Sequence, residues 1–379
     1  MKKFLLRAVK IVSLLLALVI CIGLLQEYVL CHADHNRERI KGFYLEDDNS
    51  LDVAVIGASD VYAGYSAGYA YEKYGFTSYP IATQSNIMKC YKTQIKEILK
   101  HQNPKLIVVE LNGALYGDDR DINKEANFRN YVDNIPMSAN KVELIQSIAT
   151  SNELEYYVPI IKYHSVWKDF PQGLAWSYTM INDRFRGYNY LKGVKNKTVE
   201  FKPKKKVYNA TLKDDDKKVP LTEKSEEYLR EFLDYCKSEG IDNILFVRFP
   251  HIVTKGMLAR YHKANMLADI IGEYGYDYIN FEKDFEKTGL DVNHDFYNYD
   301  HLNAYGQKTF TDYLCNILVD KYNIGKSELT DSQKKEWDEA ARYYEAYYQY
   351  NDECIKNKDY RNLSEYFRNI DAMQKYLDD

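Results

Sequence analysis

Cysteine is scarce in this sequence, and positive charge is not in excess. Its 379 residues include six cysteines, too few for the disulfide framework of a small secreted domain. Lysine and arginine total 51 against 56 aspartates and glutamates, which gives a formal net charge of −5. We therefore expect no nucleic-acid partner. No internal repeat is visible, and no His, Cys, Asp or Glu set has the spacing of a zinc site.

The glycines that nucleotide-binding and hydrolase motifs require are also missing. The segment Val55-Ile-Gly-Ala-Ser59 is similar to the glycine-rich turn of short-chain dehydrogenases, but the further glycines of that motif are absent. Since no acidic residue ends the second predicted strand either, nicotinamide binding is not expected. The G-x-S-x-G elbow of α/β-hydrolases fails because Val61 occupies the place of its second glycine. The sequence predicts neither a cofactor nor a metal.

One long apolar run, residues 11–25, follows Lys2, Lys3, Arg7 and Lys10. Fifteen helical residues span only about 22 Å, but flanking residues can extend the helix towards the ~30 Å of a bilayer core. A retained anchor is favoured over a cleaved signal peptide, because the nearest match to a cleavage site, Cys31-His32-Ala33, is a poor one. Positive charge before the run places the N-terminus in the cytoplasm. We expect a single-pass cell-membrane protein, with residues 1–33 as N-terminus and anchor and most of the chain extracytoplasmic.

Short apolar segments alternate with amphipathic helical segments along the rest of the chain. The predicted strands are 52–56, 76–81, 105–111, 243–249 and 277–281. The predicted helices are 66–74, 86–102, 222–240, 257–275 and 304–322. This alternation predicts an α/β fold with a doubly wound, mainly parallel five-stranded sheet.

The alternation is interrupted once and ends before the C-terminus. We predict an α/β domain at 50–325 with an insertion at about 112–221, and a helical C-terminal extension at 326–379. Insertions of this length commonly form lids or binding surfaces. This one contains a predicted short helix at 141–149 and a basic stretch at 192–206. That stretch is interpreted as a solvated face, with binding of an anionic polymer or lipid headgroups as the alternative.

Ser59 and His301 are the candidate catalytic pair. Ser59 follows the first strand and His301 precedes the last helix, and a parallel sheet collects such loops at the carboxyl edge of its strands. A serine becomes a nucleophile when a base accepts its proton. The competing interpretation is structural, with Ser59 as a turn or cap residue and Asn303 as the N-cap of the last helix.

Four segments together resemble the SGNH/GDSL hydrolase superfamily, and more narrowly its DltD-like branch of membrane-anchored extracytoplasmic proteins. They are V-A-V-I-G-A-S-D from residue 53, Y-E-K-Y-G from 71, P-K-L-I-V-V-E-L from 104 and D-F-Y-N-Y-D-H-L-N-A-Y-G from 295. The segments 129–138 and 163–167 are also similar to that branch. The resemblance covers most of 50–325 and implies a flavodoxin-like three-layer sandwich.

The resemblance implies roles for particular residues. Ser59 would be the nucleophile and His301 the general base. The family draws oxyanion donors from the serine's own N–H and from the loops after the second and third strands. In this sequence those loops offer Gln84 or Asn86, and Asn112 with Gly113.

The family's D-x-x-H aspartate is replaced here by Asn298. Either a nearby carboxylate, Asp300 or Asp295, reaches His301, or His301 works with the oxygen of Asn298. The second is favoured, because Asp300 adjoins His301 and adjacent side chains in an extended segment point apart.

The family resemblance implies serine-dependent acyl transfer or ester hydrolysis on a cell-envelope polysaccharide or teichoic-acid-like polymer, with an acylated small molecule as a further substrate class. A membrane-bound O-acyltransferase is the implied partner. The alternative is a non-catalytic protein of the same fold that binds or assembles with such an acyltransferase, and Asn298 is the feature that supports it.

Overall fold

The computed structural model describes residues 2–30, 34–116, 124–148, 152–359 and 373–377. Its strands are β1 (Val53–Gly57), β2 (Ser78–Ala82), β3 (Leu106–Glu110), β4 (Ile244–Arg248) and β5 (Asp277–Asn280). Each begins and ends within two residues of its predicted position. Every residue of β1 to β4 is buried, as expected for apolar runs covered on both faces of a parallel sheet.

The five strands form one sheet in the order β2-β1-β3-β4-β5, and all neighbours are parallel. This confirms the predicted α/β class and the parallel five-stranded sheet. The order is that of flavodoxin-like doubly wound folds, in which ligands bind beyond the carboxyl ends of the strands.

Five helices around the sheet lie close to their predicted positions. They are α4 (Ala67–Tyr74), α5 (Met88–His101), α11 (Glu223–Ser238), α12 (Leu258–Glu273) and α13 (Ala304–Tyr322). A further short helix, α3 (Ser59–Gly64), was not predicted. Helices α3 and α4 contact α13, whereas α5 contacts α11. Ser66 caps α4 by accepting a hydrogen bond from the Tyr69 amide, and Gly75 ends it at a φ of 80°, a value that favours glycine.

The insertion is more helical than predicted. One short helix was expected there, whereas the structure has α6 (Glu125–Val132), α7 (Ala139–Ile148), α8 (Glu153–Tyr157), α9 (Ile160–Tyr163) and α10 (Phe170–Arg186). The prediction missed α10, whose segment contains Gly173, Ser177, Thr179 and Asn182, residues of low helix propensity. Polar side chains of this helix are buried and large apolar ones are exposed.

The two ends of the chain add further helices, α1 (Lys2–Tyr28), α2 (His35–Phe43) and α14 (Asp331–Lys356). Helix α14 begins with a capping box formed by Thr330 and Gln333 and packs on α4. A Cβ placed on Gly68 of α4 would lie 2.9 Å from the Tyr344 Cβ, so glycine is needed for this close contact.

Helix α1 is long and apolar enough to span a membrane, with a mean hydropathy of 2.8 in its most apolar window. Its last turn is tied to α2, because Glu27 forms ion pairs with Arg37 and Lys41 at 2.9 Å each. The candidate cleavage site at 31–33 lies outside the described residues. Length and composition thus support a possible span, and they leave its orientation as a prediction.

Candidate active site

Ser59 lies at a sharp turn between β1 and α3. Strand β1 ends at Gly57, and α3 begins at Ser59 itself. A Cβ on Gly57 would lie 2.6 Å from Val61 Cγ2 and 2.8 Å from Glu110 Cβ, so glycine is needed where the end of β1 packs this closely against α3 and β3. Because the first N–H groups of a helix have no partner within it, the Ser59 amide is free of the α3 hydrogen-bond ladder. The turn therefore presents the Ser59 hydroxyl and amide together at the carboxyl edge of the sheet.

His301 lies in a loop that is closed on itself just before α13. Phe296 and Leu302 form an isolated antiparallel bridge, and the Asn303 side chain caps α13 by accepting from the amides of Tyr305 and Gly306. The Tyr297 ring stacks on the His301 ring, with centroids 5.1 Å apart and planes 3° from parallel. These contacts hold the plane of the imidazole in place.

The structure brings Ser59 and His301 together, although 242 positions separate them in sequence. The Ser59 Oγ lies 2.7 Å from His301 Nε2, and His301 Nδ1 lies 3.0 Å from Asn298 Oδ1. The three side chains form a chain of hydrogen bonds from serine through histidine to an amide oxygen.

The proton positions in this chain follow from the backbone. Asn298 Oδ1 also accepts hydrogen bonds from the backbone amides of Asp300 and His301, both at 2.8 Å. Since backbone amides can only donate, the atom that faces them must be the oxygen of Asn298. His301 Nδ1 therefore donates its proton to that oxygen, and Nε2 is left bare to accept the proton of Ser59.

The nearby aspartates have other partners. The Asp300 carboxylate pairs with Arg260, and Asp295 binds His294 Nδ1 at 2.6 Å and the Asp291 amide at 2.9 Å. The group in contact with His301 Nδ1 is therefore the amide of Asn298, as the sequence analysis favoured.

A carboxylate does approach His301, from the opposite side of the ring. Asp60 Oδ1 lies 3.8 Å from His301 Nε2, and Asp60 is buried. Burial alone would raise its pKa, but the neighbouring His251, His301 and Arg248 charges lower the pKa of Asp60 below its ordinary value. Asp60 is therefore ionised at neutral pH, and its charge favours the imidazolium that His301 forms when it accepts a proton.

Asp60 belongs to a buried cluster of charged side chains beneath the turn. Its Oδ2 lies 3.4 Å from His251 Nε2, and His251 Nδ1 lies 2.9 Å from Glu282. Arg248 donates to Glu282 at 3.0 Å and to Glu110 at 3.2 Å. Although burial opposes it, the charges of Arg248 and His251 lower the pKa of Glu282 to about 2.

The remaining members of this cluster balance its charge. Burial raises the pKa of Glu110 to about 8, so Glu110 is mostly protonated at neutral pH. Burial and Arg248 would lower the pKa of His251, but Asp60 and Glu282 raise it above its ordinary value. The carboxylates of Asp60 and Glu282 then face Arg248 and His251, and they favour the positive forms of both.

His301 itself has a lowered pKa. Burial is the main cause, and the charges of Asp60 and Asp300 oppose it only in part. A lowered pKa keeps the imidazole neutral at physiological pH, the form that can accept the proton of Ser59.

The candidate oxyanion residues have different environments. Asn86 donates its amide hydrogens to the Gly57 carbonyl at 3.1 Å and to Gln94 at 2.9 Å, so it supports the end of β1. The Gln84 side chain is exposed. Asn112 is buried, and its backbone N–H donates to Glu110 Oε1 at 2.8 Å. A Cβ on Gly113 would lie 2.8 Å from both the Asn86 carbonyl oxygen and the Tyr91 hydroxyl, so Gly113 packs against the loop after β2.

Sequence reasoning missed Asp60, Tyr297 and the cluster formed by Glu110, Arg248, His251 and Glu282. A signal was present, because Glu110 and Arg248 are charged residues at the carboxyl ends of otherwise apolar strands. A charge in such a position is costly unless a partner meets it. The partners come from other strands, so only the strand order identifies them.

In the part of the chain that the structure describes, no three His, Cys, Asp or Glu side chains are grouped to hold a metal ion. Comparison with protein-family models and with curated proteins gives no match for this chain. The family resemblance therefore rests on the quoted motifs alone.

Proposed function

We propose that this chain is an extracytoplasmic, membrane-anchored serine acyltransferase or esterase of the SGNH type. The observation that carries the proposal is the hydrogen-bond chain from Ser59 to His301 to Asn298, at 2.7 and 3.0 Å. A serine oxygen that donates to a bare imidazole nitrogen, whose other nitrogen is held by an acceptor, is the arrangement of an activated nucleophile.

The reaction we propose has two halves. Ser59 Oγ attacks the acyl carbonyl while its proton moves to His301 Nε2, and the backbone N–H of Ser59 stabilises the oxyanion. His301 then gives that proton to the departing alcohol, which leaves an acyl-serine. In the second half, an acceptor hydroxyl or water gives its proton to His301 and attacks the acyl group, and Ser59 regains the proton.

In this proposal, Asn298 and Asp60 each perform one of the two roles of a triad carboxylate. Asn298 fixes the tautomer of His301, and Asp60 supplies a negative charge 3.8 Å from Nε2. The replacement of the family's aspartate by Asn298 therefore does not by itself argue for a non-catalytic protein.

The basic stretch of the insertion favours an anionic acceptor such as a phosphate-containing envelope polymer. Its exposed lysines lie beside the catalytic loop, since the Phe201 amide donates to the Phe296 carbonyl at 2.8 Å and Lys197 lies 5.2 Å from the Tyr297 ring centre. Lys192 differs, because it is buried in an ion pair with Glu46 at 2.7 Å. A membrane-bound O-acyltransferase would supply the acyl group, as the family resemblance implies.

A fluorophosphonate probe tests the proposal, because it labels activated serines without knowledge of the substrate. We expect the full chain to be labelled on the peptide that contains Ser59, and Ser59→Ala to abolish the labelling. Ser238→Ala is the matched control, since Ser238 is exposed and its hydroxyl bonds only the Tyr235 carbonyl of its own helix. A folded wild-type protein without label at Ser59 would favour the non-catalytic alternative.

A further inference from the structure

Helix α10 carries its polar and apolar side chains on the wrong sides for a protein in water. Leu174, Tyr178, Ile181 and Phe185 are exposed, and Phe185 is 88% exposed. Their spacing of four, three and four residues places them along one face of the helix. Ser177, Thr179 and Asp183 are buried on other sides of the same helix. The face turned outward is thus the apolar one.

The apolar face of α10 lies beside the last turns of α1. The two helices are in contact, and a groove of about 800 Å³ between them is lined by Leu24 and Leu25 of α1 and by Ile181 and Phe185 of α10. Leu24 and Leu25 end the hydrophobic run of α1. Ile181 and Phe185 of α10 therefore lie at the same level as the end of that run.

Neighbouring parts of the insertion share this character. Among the described residues outside α1, all the exposed large apolar side chains except Leu99 lie between 137 and 185. Two of them, Leu154 and Ile161, belong to α8 and α9. The Ile160 amide lies 3.4 Å from the Gln26 side-chain oxygen, so α9 also reaches the end of α1.

We infer that the apolar face of α10 is immersed in the lipid surface next to α1, which would seat the α/β domain directly on the bilayer. The inference depends on the proposal that α1 spans the membrane. An apolar helix face beside a cationic residue, here the exposed Arg184, is the composition of helices that lie in the membrane interface. We commit to lipid as the occupant of the groove, because the groove is continuous with the surface of α1, which lipid would surround in the membrane.

Lipid photolabelling of the full-length chain tests this inference. The purified protein is reconstituted into vesicles of phosphatidylcholine and phosphatidylglycerol that contain a phosphatidylcholine with a diazirine on its acyl chain. After photolysis, lipid adducts are mapped by peptide mass spectrometry. We expect adducts on α1 and on the 174–185 segment of α10, at least about ten times more frequent than on α12. Helix α12 is the reference because it packs on β5, at the opposite edge of the sheet from β2 and α2.

Two variants sharpen the test. Phe185→Asp is expected to lower labelling of α10 several-fold and to leave α1 labelled, whereas Phe185→Leu is expected to keep wild-type labelling. Adducts on α1 without adducts on α10 in wild-type protein would overturn the inference. Since the vesicles contain no other protein, that result would mean that the uncovered face does not enter lipid, and it would point to a partner protein as the occupant of this face. An unlabelled α1 would overturn both this inference and the anchor. Labelling of Ser59 by the fluorophosphonate probe would be unaffected, so the catalytic proposal is tested separately.

Discussion

The two sides of the His301 ring are built from different parts of the chain and differ in charge. On the Nδ1 side, the loop 295–303 offers the neutral oxygen of Asn298, which is fixed by two backbone amides. On the Nε2 side, the turn after β1 places the ionised Asp60, a member of the buried charge cluster, 3.8 Å from Nε2. In the mechanism we propose, the orientation of the imidazole and the charge that stabilises its protonated form therefore come from separate residues. A triad carboxylate provides both at once.

The largest expected effect comes from removing Ser59 or His301. We expect Ser59→Ala and His301→Ala each to lower kcat by about 10⁴- to 10⁶-fold, as for groups that act as one unit. The double variant should be no less active than either single variant. Turnover of a chromogenic acetyl ester measures this, with the melting temperature as a check on folding. A double variant far below both single variants would show that the two side chains act independently.

Removing the charge on the Nε2 side is expected to have the next largest effect. Two charges about 4 Å apart interact by about 4 kcal/mol at an effective dielectric constant of 20. Asp60 also pairs with His251 and Arg248, so only part of this interaction energy acts on His301. We therefore expect Asp60→Asn to lower kcat/KM by about 10²-fold, or about 2.7 kcal/mol. Its charge raises the pKa of His301, so the acidic limb of the pH profile should move to lower pH. An unchanged acidic limb would mean that Asp60 contributes to the stability of the fold and does not act on His301.

Adding a charge on the Nδ1 side should act in the opposite direction. We expect Asn298→Asp to raise kcat/KM several-fold, because a carboxylate accepts the same hydrogen bonds and stabilises the imidazolium. The new charge raises the pKa of His301, so the acidic limb should move to higher pH. Asp300→Ala is the comparison variant. Asp300 pairs with Arg260 and its charge raises the pKa of His301, so we expect little loss of activity and an acidic limb that moves to lower pH. A large loss in Asp300→Ala without a gain in Asn298→Asp would make Asp300 the third catalytic residue.

The smallest expected effect concerns stability and the charge balance of the buried cluster. Burial raises the pKa of Glu110 from 4.5 to about 8, so the folded protein keeps a proton that the unfolded chain loses above pH 4.5. Stability from this group is present below pH 4.5 and is lost as the pH rises through 8. Glu110→Gln has no such proton.

We therefore expect Glu110→Gln to match wild type near pH 4.5 and to become progressively more stable than wild type as the pH rises to 8. Denaturant unfolding at several pH values measures the difference. A difference that does not change with pH would show that Glu110 is ionised in the folded state.

The sequence predicted the features that depend on local patterns. The strands are continuous apolar runs, and Ser66, Gly75 and Asn303 mark helix ends through their own side chains or backbone angles. The pairing of Ser59 with His301 was also anticipated, because both lie where a parallel sheet collects its loops. The fixed orientation of Asn298 was not anticipated, since it depends on two backbone amides of a closed loop.

Features that depend on several distant segments were not predicted. Glu110, Arg248 and Glu282 come from or follow three different strands, and each appears alone in the sequence. Helix α10 was missed for another reason. Its segment contains Gly173, Ser177, Thr179 and Asn182, which have low helix propensity, and tertiary contacts overrode that local preference.

The pH dependence of fluorophosphonate labelling at Ser59 tests the central claim most directly, because its rate follows the fraction of neutral His301 and requires no known substrate. Wild type, Asp60→Asn and Asn298→Asp would be compared across pH 4 to 9. We predict that the midpoint moves to lower pH in Asp60→Asn and to higher pH in Asn298→Asp. Identical midpoints in all three proteins, or the absence of labelling at Ser59, would contradict the division of orientation and charge between these two residues.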